Sequence, residues 1–290
     1  MRLVILAEER TPTSSALAAA SACRGVESDV VSSADVEART RLGDTLLGRI
    51  DVLPTLDGVQ GCVWDLRRLE GSRACIYNPA SALLAAHDKL MTALRLGRLG
   101  VPHPRTAHVD CDTATPELTL PVIVRPRFGS GGRDETLCDT RAELEDCLRQ
   151  LQHRRWYRRQ GALVQEVAHH SGPRQRLIVC RGEVVGAVEL VRLPGERWVA
   201  DIARRPPAAV SDSACGLAVR AVDGIGGDLV GVDLTTGDHG DLVLDLDAAV
   251  EFTTDYSLSQ NNIFDRVAEL LLPNGPIDKD VEGVPAAVSP

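Results

Sequence analysis

Three aspartates in the C-terminal third of the chain are the residues best suited to chemistry. Two apolar runs, Leu229–Leu234 and Leu242–Leu246, flank a polar connection and predict a β-hairpin. Asp245 and Asp247 are two residues apart, so they share one strand face, and the paired strand brings Asp233 near them. Clustered carboxylates raise each other's pKa, and a hard cation such as Mg²⁺ removes that cost. The spacing therefore indicates either a magnesium site or the solvated outer face of a hairpin.

A basic, glycine-rich loop is the second candidate. The predicted strand Leu120–Val124 ends in Arg125 and leads into the loop Pro126–Arg133, with the sequence PRFGSGGR. Glycines allow positive φ angles and a close approach to a ligand, and successive N–H groups then form an anion-binding nest. The spacing of a Walker A loop is missing. The loop indicates phosphate binding, with a flexible hairpin tip as the alternative.

The composition limits the classes of function. A formal net charge of −9 argues against a nucleic-acid partner or an anionic membrane surface. No 18-residue apolar run is present, so we expect no membrane span, and the N-terminus turns charged after Leu6, unlike a secretory signal. We therefore expect a cytoplasmic protein whose eight cysteines, without a C-x-x-C pair, are buried hydrophobes. Only Lys89 and Lys279 are lysine among 32 basic residues, which draws attention to Lys89.

Strands that alternate with helices in the first 78 residues predict a small unit with a parallel sheet. Its predicted strands are Leu3–Leu6, Asp29–Val31, Asp51–Leu53 and Ala74–Tyr77. Residues 79–98 are predicted to be helical, with Asn78–Pro79 as the cap and first position, and with Asp88 capping a second piece. We expect Leu90, Met91 and Leu94 to form the apolar face of that second piece. Thr140 and Glu143 predict a capping box at the start of a later helix.

Five motifs in this order resemble the ATP-grasp superfamily, and specifically the RimK-like carboxylate–amine ligases. They are Asp88-Lys89, VIVRP-RFGSGG, LVQEV, WVADIARR and GVDL…LVLDLD, and the resemblance covers residues 1–272. Within that family the chain looks most similar to the LysX-like amino-group-carrier-protein ligases. The resemblance implies an α/β (α+β) ATP-grasp fold. Its expected parts are an N-terminal parallel α/β domain (1–85), a central subdomain (86–164), a C-terminal subdomain with the metal site (165–272) and a mobile tail (273–290).

The resemblance also implies roles for individual residues. Those implied to bind ATP phosphates are Lys89, Arg125 and the loop residues Gly129, Ser130, Gly131 and Gly132. Those implied to lie along the adenine or at the ribose are Gln165, Glu166, Val167 and Gln175. Those implied to face the acyl phosphate or the substrate are the catalytic Arg176 and Arg204 and the substrate-binding Asp201 and Glu251. Those implied to hold two Mg²⁺ ions are Asp233, Asp245 and Asp247.

The implied activity is ATP-dependent amide formation through an acyl phosphate, within amino-acid biosynthesis. Arg125 and Asp245 depart from the lysine and glutamate of the family, and Asp247 and Asp201 from asparagines. An alternative is therefore a nucleotide-binding protein with little or no ligase activity. The implied partners are a small-molecule amino acid or an acidic carrier protein, and a second copy in a dimer or tetramer. The basic segment 154–159 (Arg154, Arg155, Arg158 and Arg159) is either a docking patch for such a carrier or a solvated helix face.

Overall fold

The computed structural model describes residues 2–71, 74–167, 170–192, 202–206, 210–237, 240–258 and 261–272. The predicted tail 273–290 and Asp201 lie outside these ranges. The described residues form three sheets with helices packed on them. No described helix is long and apolar enough to cross a membrane.

The N-terminal sheet is parallel, as the alternating pattern predicts. Its strands are β1 (Leu3–Leu6), β2 (Ser28–Val31), β3 (Thr45–Gly48) and β4 (Cys75–Tyr77), in the order β2-β1-β3-β4. Its helices are α1 (Pro12–Cys23), α2 (Ser33–Arg39) and α3 (Val63–Leu69). The predicted strand at Asp51–Leu53 is wrong, because the third strand is the fully buried TLLG of β3. Both faces of a parallel sheet are covered, so a short apolar run forms the strand. Within 51–53, only Val52 makes a bridge, to Val59.

Two helices connect this unit to an antiparallel central sheet. They are α4 (Ala80–His87) and α5 (Lys89–Arg98). The central strands are β5 (Thr106–Val109), β6 (Val122–Pro126), β7 (Thr136–Cys138) and β8 (Ala162–Glu166), in the order β5-β8-β6-β7. Helices α6 (Arg141–Leu151) and α7 (Arg155–Gln160) accompany it, and the predicted capping box between Thr140 and Glu143 is confirmed.

The C-terminal sheet carries the three aspartates. Its strands are β9 (His170–Cys180), β10 (Glu183–Arg192), β11 (Ile202–Arg205), β12 (Leu229–Gly237) and β13 (Gly240–Asp247), in the order β11-β10-β9-β12-β13. Helices α8 (Asp212–Ile225) and α9 (Ile263–Leu271) pack on it. The predicted hairpin is confirmed as β12 and β13, which extend further toward the turn than the apolar runs indicate. The predicted domain limits at 85/86 and 164/165 fall inside α4 and β8, and they stay predictions.

The hydrophobic cores show which sheets pack on one another. Residues of the N-terminal sheet, such as Val4 and Leu46, share one core with Val232 and Leu234 of the C-terminal sheet. The central sheet and α6 and α7 have a separate core, which Leu56 of the N-terminal unit joins. The central sheet therefore has a core of its own, while the N-terminal and C-terminal sheets share theirs.

Helix α5 turns a different face inward from the one predicted. Its buried residues are Thr92 and Leu96, whereas Met91 is 38% and Leu94 51% exposed. Asp88 caps the helix as predicted, accepting bonds from the N–H groups of Leu90 and Met91. Thr92 then donates to the carbonyl of Ala85, 2.6 Å away on α4. A buried polar anchor at this position sets the rotation of the helix in place of the leucines.

Each of the eight cysteines lies in the described part, and none forms a disulfide. The prediction that they are buried hydrophobes is correct for Cys62, Cys138 and Cys180. It is wrong for three exposed ones, which are Cys23, Cys75 and Cys111. Apolar character alone does not bury a small side chain at a helix end or an edge strand, because little area is removed from water there.

Candidate active site

The register of three neighbouring strands places an arginine and two aspartates in one row. Asp233 on β12 lies opposite Arg176 on β9 and opposite Asp245 on β13. Residues directly opposite in antiparallel strands share a face. Asp247 is two residues beyond Asp245 and lies opposite Gly231, so its side chain points to the same face. The predicted common face of Asp233, Asp245 and Asp247 is thus formed by the sheet.

Two arginines surround Asp233. Arg176 Nε lies 2.6 Å from Asp233 Oδ1 and its Nη2 3.0 Å from Oδ2, while Arg174 Nη2 lies 2.8 Å from Oδ2. Burial by itself would raise the pKa of this carboxyl, but the charges of Arg176 and Arg174 hold it well below the ordinary value. In turn, the charge of Asp233 raises the pKa of Arg176. Asp233 is therefore a buried, ionised carboxylate between two cations.

Asp245 lies close to Lys89 and Arg125, the two cations that the resemblance implies for phosphate binding. Its Oδ2 lies 3.3 Å from Lys89 Nζ and 3.2 Å from Arg125 Nη2. Arg125 Nε is also 3.2 Å from Glu135 Oε1, so one guanidinium joins two carboxylates. Burial would raise the pKa of Asp245, but Lys89 and Arg125 together lower it. The structure thus brings Lys89, Arg125 and Asp245 together, as the resemblance implies.

Asp247 differs electrostatically from the other two aspartates. Burial raises its pKa above the ordinary value, and the charge of Asp51 adds to this effect, although His87 and Arg176 act against it. One of its oxygens accepts the N–H of Ala249 at 2.9 Å. No ion pair to Asp247 is found among the described residues. A bound cation would therefore stabilise this carboxylate most directly.

The glycine-rich loop is held beside these charges. Lys89 Nζ donates to the carbonyl of Gly129 at 2.9 Å. Where the loop begins, the Arg127 guanidinium donates two hydrogen bonds to the Asp88 carboxylate, at 2.7 and 2.5 Å. Asp88 directly precedes Lys89 in the chain. Gly131 and Gly132 have φ angles of 64° and 68°, a conformation that favours glycine. The loop backbone is therefore held in a conformation suited to an anion-binding nest.

The predicted hinge residues face different surroundings. Gln165 accepts a bond from Arg125 Nη1 at 3.2 Å and donates to Thr106 at 3.0 Å. Glu166 instead accepts from the N–H of Thr119 at 2.8 Å, and the N–H of Val167 bonds to the carbonyl of Pro121 at 3.0 Å. A cavity of about 20 Å³ lies between the subdomains. Its lining includes Lys89, His103, Arg125, Gln165 and Asp245.

Two further predicted site residues lie on the C-terminal sheet. Gln175 alternates with Arg174 and Arg176 along β9, so it lies on the opposite face of the sheet from them. Arg204 lies on β11 opposite Leu190, and its side chain is outside the described part. The roles implied for these residues stay predictions.

Glu251, predicted to bind substrate, joins two units of the protein. Its Oε1 lies 2.6 Å from Arg49 Nη2, and its Oε2 accepts the N–H of Thr13 at 3.3 Å. Arg49 also donates to the carbonyl of Val250 at 2.8 Å. Burial lowers the pKa of the Arg49 guanidinium in spite of the nearby Glu251 and Asp247. Glu251 thus holds the segment after β13 against the N-terminal sheet, and a role toward substrate stays a prediction.

The described side chains of this site offer Mg²⁺ few carboxylate ligands. Among the described residues, no three His, Cys, Asp or Glu side chains are grouped so that they could hold a metal ion. Asp233 and Asp245 face cationic side chains instead. Mg²⁺ needs only one or two protein carboxylates and completes its shell with water and substrate phosphates. Asp247, which has no ion pair among the described residues, fits this role most directly, whereas Asp245 would have to exchange Lys89 and Arg125 for the ion. The magnesium roles of Asp233, Asp245 and Asp247 stay predictions.

Several site residues escape the sequence reasoning. Arg174 and Glu135 form ion pairs with Asp233 and Arg125, and Arg49 lies at the end of β3. Arg174 has a sequence signal, because it is two residues before Arg176 and so shares its strand face. Glu135 lies beside Arg125 across the β6–β7 pair, where Val124 is opposite Thr136, so the pairing of these two strands sets this contact. Arg49 has no such signal, because its partner Glu251 is 202 positions away.

Asp233→Asn is expected to destabilise the ligand-free protein by about 3–5 kcal/mol, because it leaves two partly buried arginines without their counter-charge. The measurement is the free energy of unfolding in urea. Asp223→Asn is the matched control, since Asp223 is exposed on α8. Equal stability of the two variants would show that the ion pairs around Asp233 contribute nothing.

Comparisons with known proteins identify the family and the fold. A sequence model of the RimK-like ATP-grasp domain matches residues 86–271. A probable alpha-L-glutamate ligase of Klebsiella pneumoniae is 30% identical over 215 residues, covering 68% of this chain and 69% of the relative. A probable alpha-L-glutamate ligase 2 of Hahella chejuensis is 29% identical, covering 71% and 68%. The fold is similar to a RimK domain ATP-grasp protein of Sphaerobacter thermophilus, with a TM-score of 0.66, 20% identity and coverage of 94% and 100%.

Proposed function

The chain belongs to the RimK-like ATP-grasp family, and we propose on this basis that it is an ATP-dependent carboxylate–amine ligase. A substrate carboxylate attacks the γ-phosphoryl group of ATP, which gives an acyl phosphate and ADP. An amine then displaces phosphate and forms the amide. This chemistry needs positioning and charge neutralisation more than a protein nucleophile.

The proposal depends on one observation: the glycine-rich loop lies beside the sheet face that carries Asp233, Asp245 and Asp247. Lys89 contacts both the Gly129 carbonyl and Asp245, and Arg125 contacts Asp245 from the end of β6. Two cations beside a glycine-rich loop can bind the phosphates of ATP. Arg176, in the row that continues through Asp233, supplies a further positive charge on the same face. These residues would orient the γ-phosphoryl group and offset its charge.

Magnesium is the metal that this family implies. Asp245 and Asp247 would hold it, and a Mg²⁺ ion bound there neutralises negative charge on the phosphates. Lys89 and Arg125, which neutralise Asp245 in the described structure, would then be available to phosphate oxygens. Burial raises the pKa of Asp247, and this carboxyl has no ion pair among the described residues. A bound cation would supply the missing positive charge, which supports the proposal.

Glutamate is the proposed amino-acid substrate, on the strength of the relatives' names. Its amino group would act as the nucleophile toward the activated carboxylate of a second molecule. An acidic carrier protein as that second molecule stays a prediction, as do a cytoplasmic location and a dimer or tetramer. Helix α7 presents exposed Arg155 and Arg158, while Trp156 and Tyr157 between them are buried. Both interpretations of this basic segment, docking patch and solvated face, remain open.

The test is the release of ADP from Mg²⁺ and ATP, with glutamate as the amine and a panel of carboxylates that includes an acidic carrier protein. A ligase releases ADP at an appreciable rate only when both substrates are present, and an amide product of matching mass accumulates. Nucleotide binding without ADP release for any pair would favour the alternative of a binding protein. Absence of nucleotide binding would contradict both.

A further inference from the structure

One segment of the N-terminal unit reaches across to the phosphate-binding loop. Residues 52–59, which we call the strap, form a narrow loop closed by the bridge between Val52 and Val59. Inside it, Leu53 donates to the carbonyl of Gly58 at 2.7 Å, and Leu56 donates to that of Leu53 at 3.0 Å. Leu56 has a φ of 62°, which is unfavourable for a branched side chain. A strained leucine at the tip of a tight loop indicates that its side chain is held by strong contacts elsewhere.

The tip of the strap is buried in the core of another subdomain. Leu56 is 5% exposed and packs in the central core with Val124, Trp156 and Tyr157. It also lies against the phosphate-binding loop, since a Cβ at Gly129 would come within 3.1 Å of Leu56 Cδ2. The lack of a side chain at Gly129 therefore leaves room for the Leu56 side chain.

Polar contacts fix both sides of the tip to the central subdomain. The side-chain amide of Gln160 donates to the Leu56 carbonyl. Arg133, the last residue of the glycine-rich loop, donates to the carbonyl of Pro54 at 3.3 Å. On the other side, Arg159 pairs with Asp57 at 3.6 Å. The strap thus holds both the phosphate-binding loop and α7.

The root of the strap is connected to the aspartate side of the site. Arg49 leads into the strap and donates to the carbonyls of Ala249 and Val250, just after Asp247. Arg49 and the strap together therefore link the segment that follows the aspartates to the loop expected to bind phosphate. The strap thus contacts both sides of the predicted nucleotide site.

We propose that the strap is a latch that holds the phosphate-binding loop closed, with Leu56 as its positioning residue. The part of this inference that concerns nucleotide binding and release rests on the proposed function. Separation of the subdomains has to withdraw Leu56 from the central core, so the latch slows opening. Once a nucleotide is bound, the same contact slows its release and keeps the loop in place during turnover.

Amide hydrogen exchange of residues 127–135 in the ligand-free protein tests the latch without any nucleotide. The variant is Leu56→Asn, because asparagine tolerates a positive φ but does not bury well in an apolar core. We expect exchange in this segment to become at least about tenfold faster. Leu56→Met, which keeps an apolar side chain of similar volume, should stay near the wild type. The matched control is Leu42→Asn, since Leu42 lies in the same unit and is 72% exposed.

A second readout is the dissociation rate of a fluorescent ATP analogue in the presence of Mg²⁺. We expect Leu56→Asn to release it at least about tenfold faster than the wild type and Leu42→Asn. A merely structural role would lower the melting temperature of Leu56→Asn, speed amide exchange to a similar extent in the core strands and in 127–135, and leave the release rate unchanged, which would overturn the proposal. If Leu56→Asn does not fold, Gln160→Ala removes one polar contact of the tip and should speed both by about threefold. A wild type that binds no nucleotide would contradict the proposed function, while the exchange experiment would still decide whether the strap restrains the loop.

Discussion

Asp245→Asn is expected to lower the rate of substrate-dependent ADP release by about 10³-fold. The substitution keeps the size of the side chain and removes the charge that faces Lys89 and Arg125. It would also remove one of the two carboxylates that fit Mg²⁺. Steady-state ADP release with saturating substrates is the measurement. A variant that keeps activity within tenfold of the wild type would contradict the role assigned to Asp245.

Thermal unfolding separates the metal from the nucleotide in the same variant. A ligand present at 100 times its Kd stabilises the native protein by about 2.7 kcal/mol. For the wild type, we expect ATP and Mg²⁺ together to raise the melting temperature more than the two separate shifts add up to. For Asp245→Asn this synergy should disappear, while ATP alone should bind more tightly because Lys89 and Arg125 lose their counter-charge. Asp223→Asn, on the exposed face of α8, should behave as the wild type in both experiments.

The largest effect on stability is expected at Asn78, which is fully buried where the N-terminal and C-terminal sheets meet. Its side-chain oxygen accepts the N–H groups of Asp228 and Leu229 at 2.8 and 3.0 Å. Its amide nitrogen donates to the carbonyls of Gly48, Leu229 and Ala248 at 3.2, 2.8 and 3.4 Å. Asn78→Ala leaves these buried backbone groups unpaired and is expected to destabilise the protein by about 4–6 kcal/mol. Unfolding in urea measures it.

Asn78→Gly is the matched variant that separates the hydrogen bonds from the backbone. Asn78 has a φ of 50°, which glycine adopts without strain and alanine does not. The alanine variant should therefore be less stable than the glycine variant by about 1 kcal/mol, while both lose the side-chain bonds. A free energy of unfolding for Asn78→Ala within 1 kcal/mol of the wild type would show that water replaces the lost partners.

The same residue shows why a local pattern can be misleading. The pair Asn78–Pro79 predicts a helix cap, since asparagine is a common capping residue. In the structure Pro79 precedes α4 without a side-chain capping bond, and Asn78 bonds to residues about 150 positions away. Local propensity depends on neighbouring residues, so it cannot predict partners that are so far apart in the chain.

Features that depend on short-range spacing can be predicted from the sequence. Alternation along one strand places Asp245 and Asp247 on one face, and two apolar runs around a polar turn pair them with Asp233. The order of the five motifs was enough to indicate the family. Capping at Asp88 and Thr140 follows from bonds within one helical turn, which sequence spacing specifies directly.

How the charges of the site are paired depends on the tertiary structure. Asp233 is joined to Arg174 and Arg176 by the register of β9 with β12, and Arg125 of the central sheet contacts Asp245 of the C-terminal sheet. The insertion of Leu56 into the central core likewise depends on how two bodies pack. These contacts link residues that are 57 to 120 positions apart in the chain, so they arise from the packing of whole sheets. Local periodicity does not encode them.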